Sequence, residues 1–205
     1  MLNTNSRPGF ARLSLLLLIA LCSIVSTRAE ETNKVLVLMT TTLGDIELEL
    51  DAARAPASVS NFLNYVDRGF YQGGVIHRTV TPENQPHNKI RIEVIQGGIN
   101  PARTAEDGPE IALERTSDTG LRHLDGTISM ARNGPDTATS DFFICINDQP
   151  ELDFGGKRNP DGQGFAAFGQ VVKGMDVVRS IQSAPAEGQS LSPVVIILSA
   201  QRSDK

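Results

Sequence analysis

Apolar and polar residues alternate along this chain with two different periods. Ile46-Glu47-Leu48-Glu49-Leu50 alternates strictly after the turn residues Gly44-Asp45, and a period of two marks a strand with one buried face. With the β-branched, apolar run Val35 to Leu38 before it, the pattern predicts an antiparallel hairpin. The period then lengthens. Val59, Phe62, Leu63 and Val66 stand at i, i+3, i+4 and i+7, Pro56 suits a first helical position, and Gly69 ends the pattern. These features predict a helix with one apolar stripe. From Gly73 to Ile146 the chain consists of short apolar runs divided by Gly, Pro, Asn and Asp: Val75-Ile76, Ile90 to Ile95, Thr127 to Ala131 and Phe142 to Ile146. Phe165 to Val172 predicts another strand, Met175 to Ile181 a short second helix, and Pro193 to Leu198 a closing strand. Many short strands with two helices far apart favour a closed or nearly closed antiparallel barrel over a parallel α/β sheet. Gly155 to Gly164 reads as a loop, and no internal repeat is visible.

The first 29 residues follow neither period. Arg7 and Arg12 precede the apolar run Leu13 to Val25, and Ser26-Thr27-Arg28-Ala29 offers small residues before Glu30-Glu31. That order predicts a signal peptide over 1–29, cut after Ala29, with an uncleaved anchor as the alternative. The apolar run is short for a membrane span, so no stable membrane association is expected once it is removed. Its loss would leave 16 basic against 24 acidic residues, a net charge of −8. Such a surface repels phosphate backbones and anionic lipid, so nucleic acid is not an expected partner. A length of 205 residues with 40% hydrophobic and 21% charged residues suits one globular domain.

The common catalytic devices are missing from the sequence. His77, His87 and His123 lack metal-ligand spacing, so no metal is expected. Neither a nucleotide-binding glycine motif nor a G-x-S-x-G elbow occurs, and no cofactor is expected. Cys145, inside Phe142-Phe143-Ile144-Cys145-Ile146, reads as a small buried hydrophobe.

Four segments carry a resemblance instead: His77-Arg78, Gln96-Gly97-Gly98, Gly126-Thr127-Ile128-Ser129-Met130-Ala131 and Ser140-Asp141-Phe142-Phe143-Ile144. Together with Ile46 to Leu50, the helix from Pro56 to Tyr71 and Phe168 to Asp176, they resemble the cyclophilin family of peptidyl-prolyl isomerases in order and spacing. The resemblance implies a mainly β fold, a closed eight-stranded antiparallel barrel capped by two α-helices, over residues 30–205. It implies peptidyl-prolyl cis-trans isomerase activity on proline-containing polypeptides, in a monomer that assists the folding of exported proteins in the periplasm or outside the cell. A proline-peptide binding or chaperone module with low turnover is the alternative.

By the same resemblance Arg78 is the catalytic guanidinium, Gln96 bonds the substrate backbone, and Phe143 floors the proline pocket. Phe142 and Phe143 must point to opposite faces of one strand. Val94 shares a face with Gln96 and should line the same pocket. Ala131, Arg132, Leu152 and Phe165 match further groove positions. The chain also departs from the family pattern. About ten extra residues lie between Arg78 and Gln96, enough for an added loop around Thr81 to Asn88. Glu93 stands where the family has a pocket phenylalanine, Asp141 precedes the paired phenylalanines, and Glu151 replaces an aromatic. These changes predict an acidic groove that prefers basic flanking residues.

Overall fold

In the computed structural model, residues 1, 2 and 34–203 are described, and Val35–Lys205 forms one compact unit. Apart from Met1 and Leu2, the predicted signal segment 1–29 lies outside the described residues. The strands are β1 (Lys34–Thr41), β2 (Gly44–Asp51), β3 (Gly74–Val80), β4 (Val94–Gly98), β5 (Thr127–Met130), β6 (Phe142–Cys145), β7 (Ala166–Lys173), β8 (Ala186–Glu187) and β9 (Ser190–Ser203). Three helices intervene: α1 (Pro56–Asp67), the four-residue α2 (Thr116–Thr119) and α3 (Met175–Gln182). Spatial order runs β1-β2-β7-β5-β6-β4-β3-β9, and β9 pairs back onto β1, so eight antiparallel strands close a barrel. The two-residue β8 adds only a hairpin on β9.

The interior is filled as the periods predicted. Ile46, Leu48 and Leu50 point inward from β2, Val37 and Met39 from β1, and all are fully buried. Helix α1 packs against β2, β7 and β9. Its Phe62 meets Tyr71, Phe142 and Phe168 with ring centroids 5.0, 5.8 and 5.3 Å away. Beyond Asp67 the chain turns through Gly69, whose φ of +67° suits glycine. Helix α3 packs against β2, β3 and β4 through a face that buries Val178 and Ile181.

Two boundaries differ from the sequence pattern for identifiable reasons. The apolar run Ile90 to Ile95 is not one strand: β4 begins at Val94. The fully buried Gln85 side chain donates to the carbonyls of Thr81 and Ile92, at 2.7 Å each, and accepts from the Ile92 amide at 3.2 Å. A side chain thus satisfies backbone groups that a ladder would otherwise bond. The closing strand β9 is longer than Pro193 to Leu198 because it meets β8, β3 and β1 in turn. Pro193 falls between its paired stretches, where a missing N–H costs no ladder bond. The loop from Gly155 to Gly164 is found where predicted.

Candidate active site

Strand register builds the site. Arg78 on β3 pairs with Gln96 on β4, Gln96 with Phe143 on β6, and Phe143 with Ser129 on β5. One row of cross-strand neighbours, spaced about 4.8 Å apart, therefore carries Arg78, Gln96 and Phe143. Alternation alone would put Arg78 on the same face as Ile76, which is fully buried in the barrel interior. Against β4 the register of β3 slips between Ile76 and Arg78, leaving His77 as the extra residue of a bulge, and the pairing with β9 is irregular at the same point. A bulge transfers everything after it to the other face. Arg78 emerges on the outer wall beside Gln96, while Ile76 stays inside.

That outer wall holds a cleft of about 480 Å³. All eight residues proposed from the sequence line it: Arg78, Val94, Gln96, Ala131, Arg132, Phe143, Leu152 and Phe165. Its apolar floor is a cluster separate from the interior, made of Val80, Ile92, Val94, Phe143, Cys145 and Leu152, with Ala131 and Phe165 against it. Phe143 and Phe165 meet edge to face at 5.3 Å. Phe142, one residue earlier, is buried inside the barrel. Burial pushes the Cys145 thiol well above its ordinary value, which keeps it protonated and unreactive.

Behind Phe143, His123 stacks at 5.8 Å with the rings 14° apart. Its Nδ1 lies 2.7 Å from Asp153 Oδ1 and its Nε2 lies 3.0 Å from Ser129 Oγ. Asp, His and Ser are the members of a hydrolytic triad, but Ser129 is fully buried and no substrate carbonyl reaches it. The three groups brace the pocket floor.

Arg78 is held without a counter-ion. Its Nε and Nη2 donate to Gln189 Oε1 at 2.9 and 2.7 Å, and its Nη1 donates to Gln96 Oε1 at 2.9 Å. Burial lowers its pKa, yet a guanidinium remains charged at neutral pH. Two neutral amides fix its position and leave its charge unquenched by any carboxylate among the described residues. Gln189 was invisible to pattern reading because it sits in the short β8–β9 turn with no motif around it. The inserted loop supports it, since Gln189 Nε2 donates to the Asn84 carbonyl at 3.2 Å.

Of three expectations about acidity, two are corrected and one holds. Glu93 faces away from the cleft and accepts from Asn147 at 3.0 Å, and Ile92 supplies apolar wall instead. Ile92, Val94 and Gln96 share the cleft face at a spacing of two, so Glu93 falls between them on the other side. Glu151 also lies outside the cleft, accepting from the Lys157 amide at 2.8 Å. Asp141 does line it, together with Asp107, which the sequence did not single out. Asp141 occupies space beside Gly98, where any Cβ would collide with its carboxylate. The guanidinium of Arg132 is committed to the Gly155–Gly164 loop, donating to Asp161 Oδ2 at 2.8 Å and to the Gly164 carbonyl. Its side chain is therefore a clamp under Phe165, whose ring centroid lies 5.0 Å from it. Among the described residues no three His, Cys, Asp or Glu side chains converge as a metal site, and no helix is long and apolar enough to cross a membrane.

Barrel and cleft together define a class: a closed sheet that works through an open apolar pocket with a fixed cation on its outer wall. The profile of the family described as cyclophilin type peptidyl-prolyl cis-trans isomerase/CLD matches residues 36–202. The chain belongs to the cyclophilin-type peptidyl-prolyl cis-trans isomerases. It is 40% identical over 157 residues to peptidyl-prolyl cis-trans isomerase A of Dickeya dadantii, covering 76% of this chain and 75% of that protein. It is 35% identical to peptidyl-prolyl cis-trans isomerase B of Escherichia coli over 148 residues, covering 72% of this chain and 83% of the relative. A cyclophilin-type isomerase of Cryptosporidium parvum, 22% identical, superposes with a TM-score of 0.67 over 84% of this chain and 99% of its own. That protein was also determined in the presence of the dipeptide Ala-Pro, at a TM-score of 0.66.

Two outcomes follow from these contacts. Gln189→Ala frees two of the three nitrogens of Arg78, and kcat is expected to fall about tenfold with KM little changed, because Gln189 holds Arg78 without lining the cleft. Steady-state isomerisation kinetics check it, and an unchanged kcat would remove Gln189 from the machinery. The second concerns Asp141, whose pKa burial raises. An acid with a higher folded than unfolded pKa weakens the fold above the folded value and costs nothing below the unfolded one. Asp141→Asn should therefore be more stable than the parent at pH 7 and lose that advantage as pH falls through the carboxyl range. Urea denaturation at several pH values tests this, and a difference constant with pH would place the effect elsewhere.

Proposed function

We propose that this isomerase accelerates rotation about the prolyl peptide bond by presenting the Arg78 guanidinium to the prolyl nitrogen, and that its substrates are exported proteins as they fold. The observation that carries the mechanism is the outward row of Arg78, Gln96 and Phe143, with a guanidinium held by neutral amides at the rim of an apolar pocket. Delocalisation of the nitrogen lone pair into the carbonyl gives the bond a barrier of roughly 18–20 kcal/mol. The two isomers before proline differ by only about 0.5–1 kcal/mol, so the reaction needs a lower barrier and no driving force. In the twisted state the lone pair is localised on nitrogen, which then accepts a hydrogen bond that neither planar isomer offers. A donor fixed beside it stabilises the transition state selectively. About 7 kcal/mol supplied in this way would correspond to roughly 10⁵-fold acceleration.

The other residues position the substrate. Phe143, Val94, Ile92 and Leu152 form an apolar seat for a pyrrolidine ring, a chemistry that the Ala-Pro dipeptide shares. Gln96 Nε2 donates to Asp141 at 3.3 Å, the longest bond of the Arg78–Gln96–Asp141 chain. A substrate carbonyl can replace it at little cost while Gln96 Oε1 keeps its hold on Arg78.

Arg78→Ala is expected to lower kcat/KM by about 10²- to 10³-fold with the fold retained, read by a protease-coupled proline-peptide assay beside circular dichroism. Rates equal to the parent would reject the guanidinium mechanism, and a parent that binds proline peptides with no turnover would leave only a binding module. The export part of the proposal rests on the basic, apolar and small-residue order within 1–29. It places the mature chain, as a monomer, in the periplasm or outside the cell. N-terminal sequencing of the mature protein should begin at Glu30; an intact Met1 in a cytoplasmic fraction would overturn it.

A further inference from the structure

Charge is unevenly distributed along the cleft, and β4 gives the axis. At its Gly98 end stands Asp141, and Asp107 lines the same cleft, bonded by Tyr65, Thr139 and Ser140 at 2.6, 3.0 and 3.1 Å. Beyond the Val94 end, Arg158 reaches in from the Gly155–Gly164 loop and donates from Nη1 to the Ile90 carbonyl at 2.7 Å. It thereby ties that loop to the segment inserted between Arg78 and Gln96. Arg158 lines the same cleft as Arg78. Burial, and then the nearby charge of Arg78, pull its pKa below the ordinary arginine value. Lys89 and Arg91, both exposed, flank Ile90 and add positive charge at that end.

The acids around Arg158 are committed elsewhere. Asp161 pairs with Arg132 at 2.8 Å and Asp153 with His123 at 2.7 Å. Glu151 accepts from the Lys157 amide, and Glu93 accepts from Asn147 outside the cleft. Nη1 is the one guanidinium nitrogen of Arg158 with a hydrogen-bond partner among the described residues. Desolvation disfavours a half-buried cation that lacks a counter-ion. A planar carboxylate relieves that cost well, because it takes two parallel N–H bonds from a guanidinium.

We infer that the cleft favours proline peptides carrying Asp or Glu within three residues of the proline on the side that runs toward Ile90, where Arg158 receives the carboxylate. On the other side, toward Asp107 and Asp141, the preference is reversed: an acid is repelled and a basic residue is accepted. The inference deepens the isomerase reading of this site, since it assigns a sequence preference to a cleft whose turnover rests on Arg78.

The test steps a single Glu, Gln or Lys through three positions on each side of a central Ala-Pro bond and follows cis/trans exchange by NMR, which needs no coupling protease. The Glu over Gln ratio of kcat/KM is expected to reach about three- to tenfold on one side only. It should fall toward one in about 1 M salt, where the Debye length is about 3 Å, and lie below one on the other side. Arg158→Gln should abolish the gain, Arg158→Lys keep part of it, and Arg158→Glu replace it with a preference for Lys. Equal rates for Glu and Gln peptides at every position, or a gain that survives in Arg158→Gln, overturns the inference. Turnover of the Gln peptides reports separately on Arg78. Were they not isomerised, the catalytic reading would fail, and the Glu over Gln affinity ratio measured by titration would still decide the role of Arg158.

Discussion

The slip in register at His77 is the constraint on which the site depends. A barrel strand has two faces, and β3 begins by pointing Ile76 into the interior opposite Gly97. Continued without interruption, it would carry Arg78 inward into the apolar core, where an unpaired guanidinium is prohibitively costly. The extra residue turns Arg78 outward instead, into register with Gln96 and Phe143. The β3–β9 register is irregular at the same point, where residues 191–194 of β9 stand opposite His77 alone, and the turn bearing Gln189 arrives beside the guanidinium it holds. One bulge thus sets the cation, its two amide partners and its distance from the pocket floor.

The rest of the site inherits its rigidity from the barrel. β5 and β6 are buried on both faces, one packed into the interior and the other beneath the cleft. Phe142 and Phe143 divide these tasks within a single dipeptide. The pocket floor can hardly move without disturbing the core, because the strand that carries Phe143 outward carries Phe142 inward against Phe62 and Tyr71. His123, Ser129 and Asp153 add a polar brace behind Phe143 in which each polar side-chain atom that is buried finds a partner. The proposed electrostatic stabilisation would need this stiffness, since the dipoles must already point correctly when the bond twists.

Much of this was legible in residue patterns. The apolar spacing of Val59, Phe62, Leu63 and Val66 announces α1, and the alternation from Ile46 to Leu50 announces β2, because in both cases one face is buried and the other solvated. β6 was harder, since Phe-Phe-Ile-Cys has no period when both faces are covered. The site residues came from ordered motifs, not from periodicity. What could not be read are the features that depend on meetings distant in sequence. Gln189 touches Arg78 across 111 positions, and Arg158 meets Ile90 across 68. Glu93 misled because the family position was weighed above the period of two, which puts Ile92 with Val94 and Gln96 on the cleft face and Glu93 on the other. Gln85 bonds the Ile92 amide and carbonyl where no neighbouring strand does, which ends the ladder without changing that face.

The choice of partners for Arg78 follows from what the guanidinium must do. A carboxylate at the position of Gln189 or Gln96 would bind it more tightly, since charge-assisted pairs are the stronger bonds. It would also cancel the field that the proposed mechanism directs at the prolyl nitrogen, and the cation would then be a structural ion pair. Neutral amide oxygens orient the fork while leaving its charge available, at the expense of a half-buried cation whose desolvation no carboxylate among the described residues offsets. Asp141 is placed consistently with this: it reaches Arg78 only through Gln96, so the acid polarises the amide without touching the guanidinium. Under the mechanism proposed above, the cleft accepts an electrostatic cost in its resting state that is relieved when a bond beside Arg78 twists, which is the order of events a transition-state stabiliser requires.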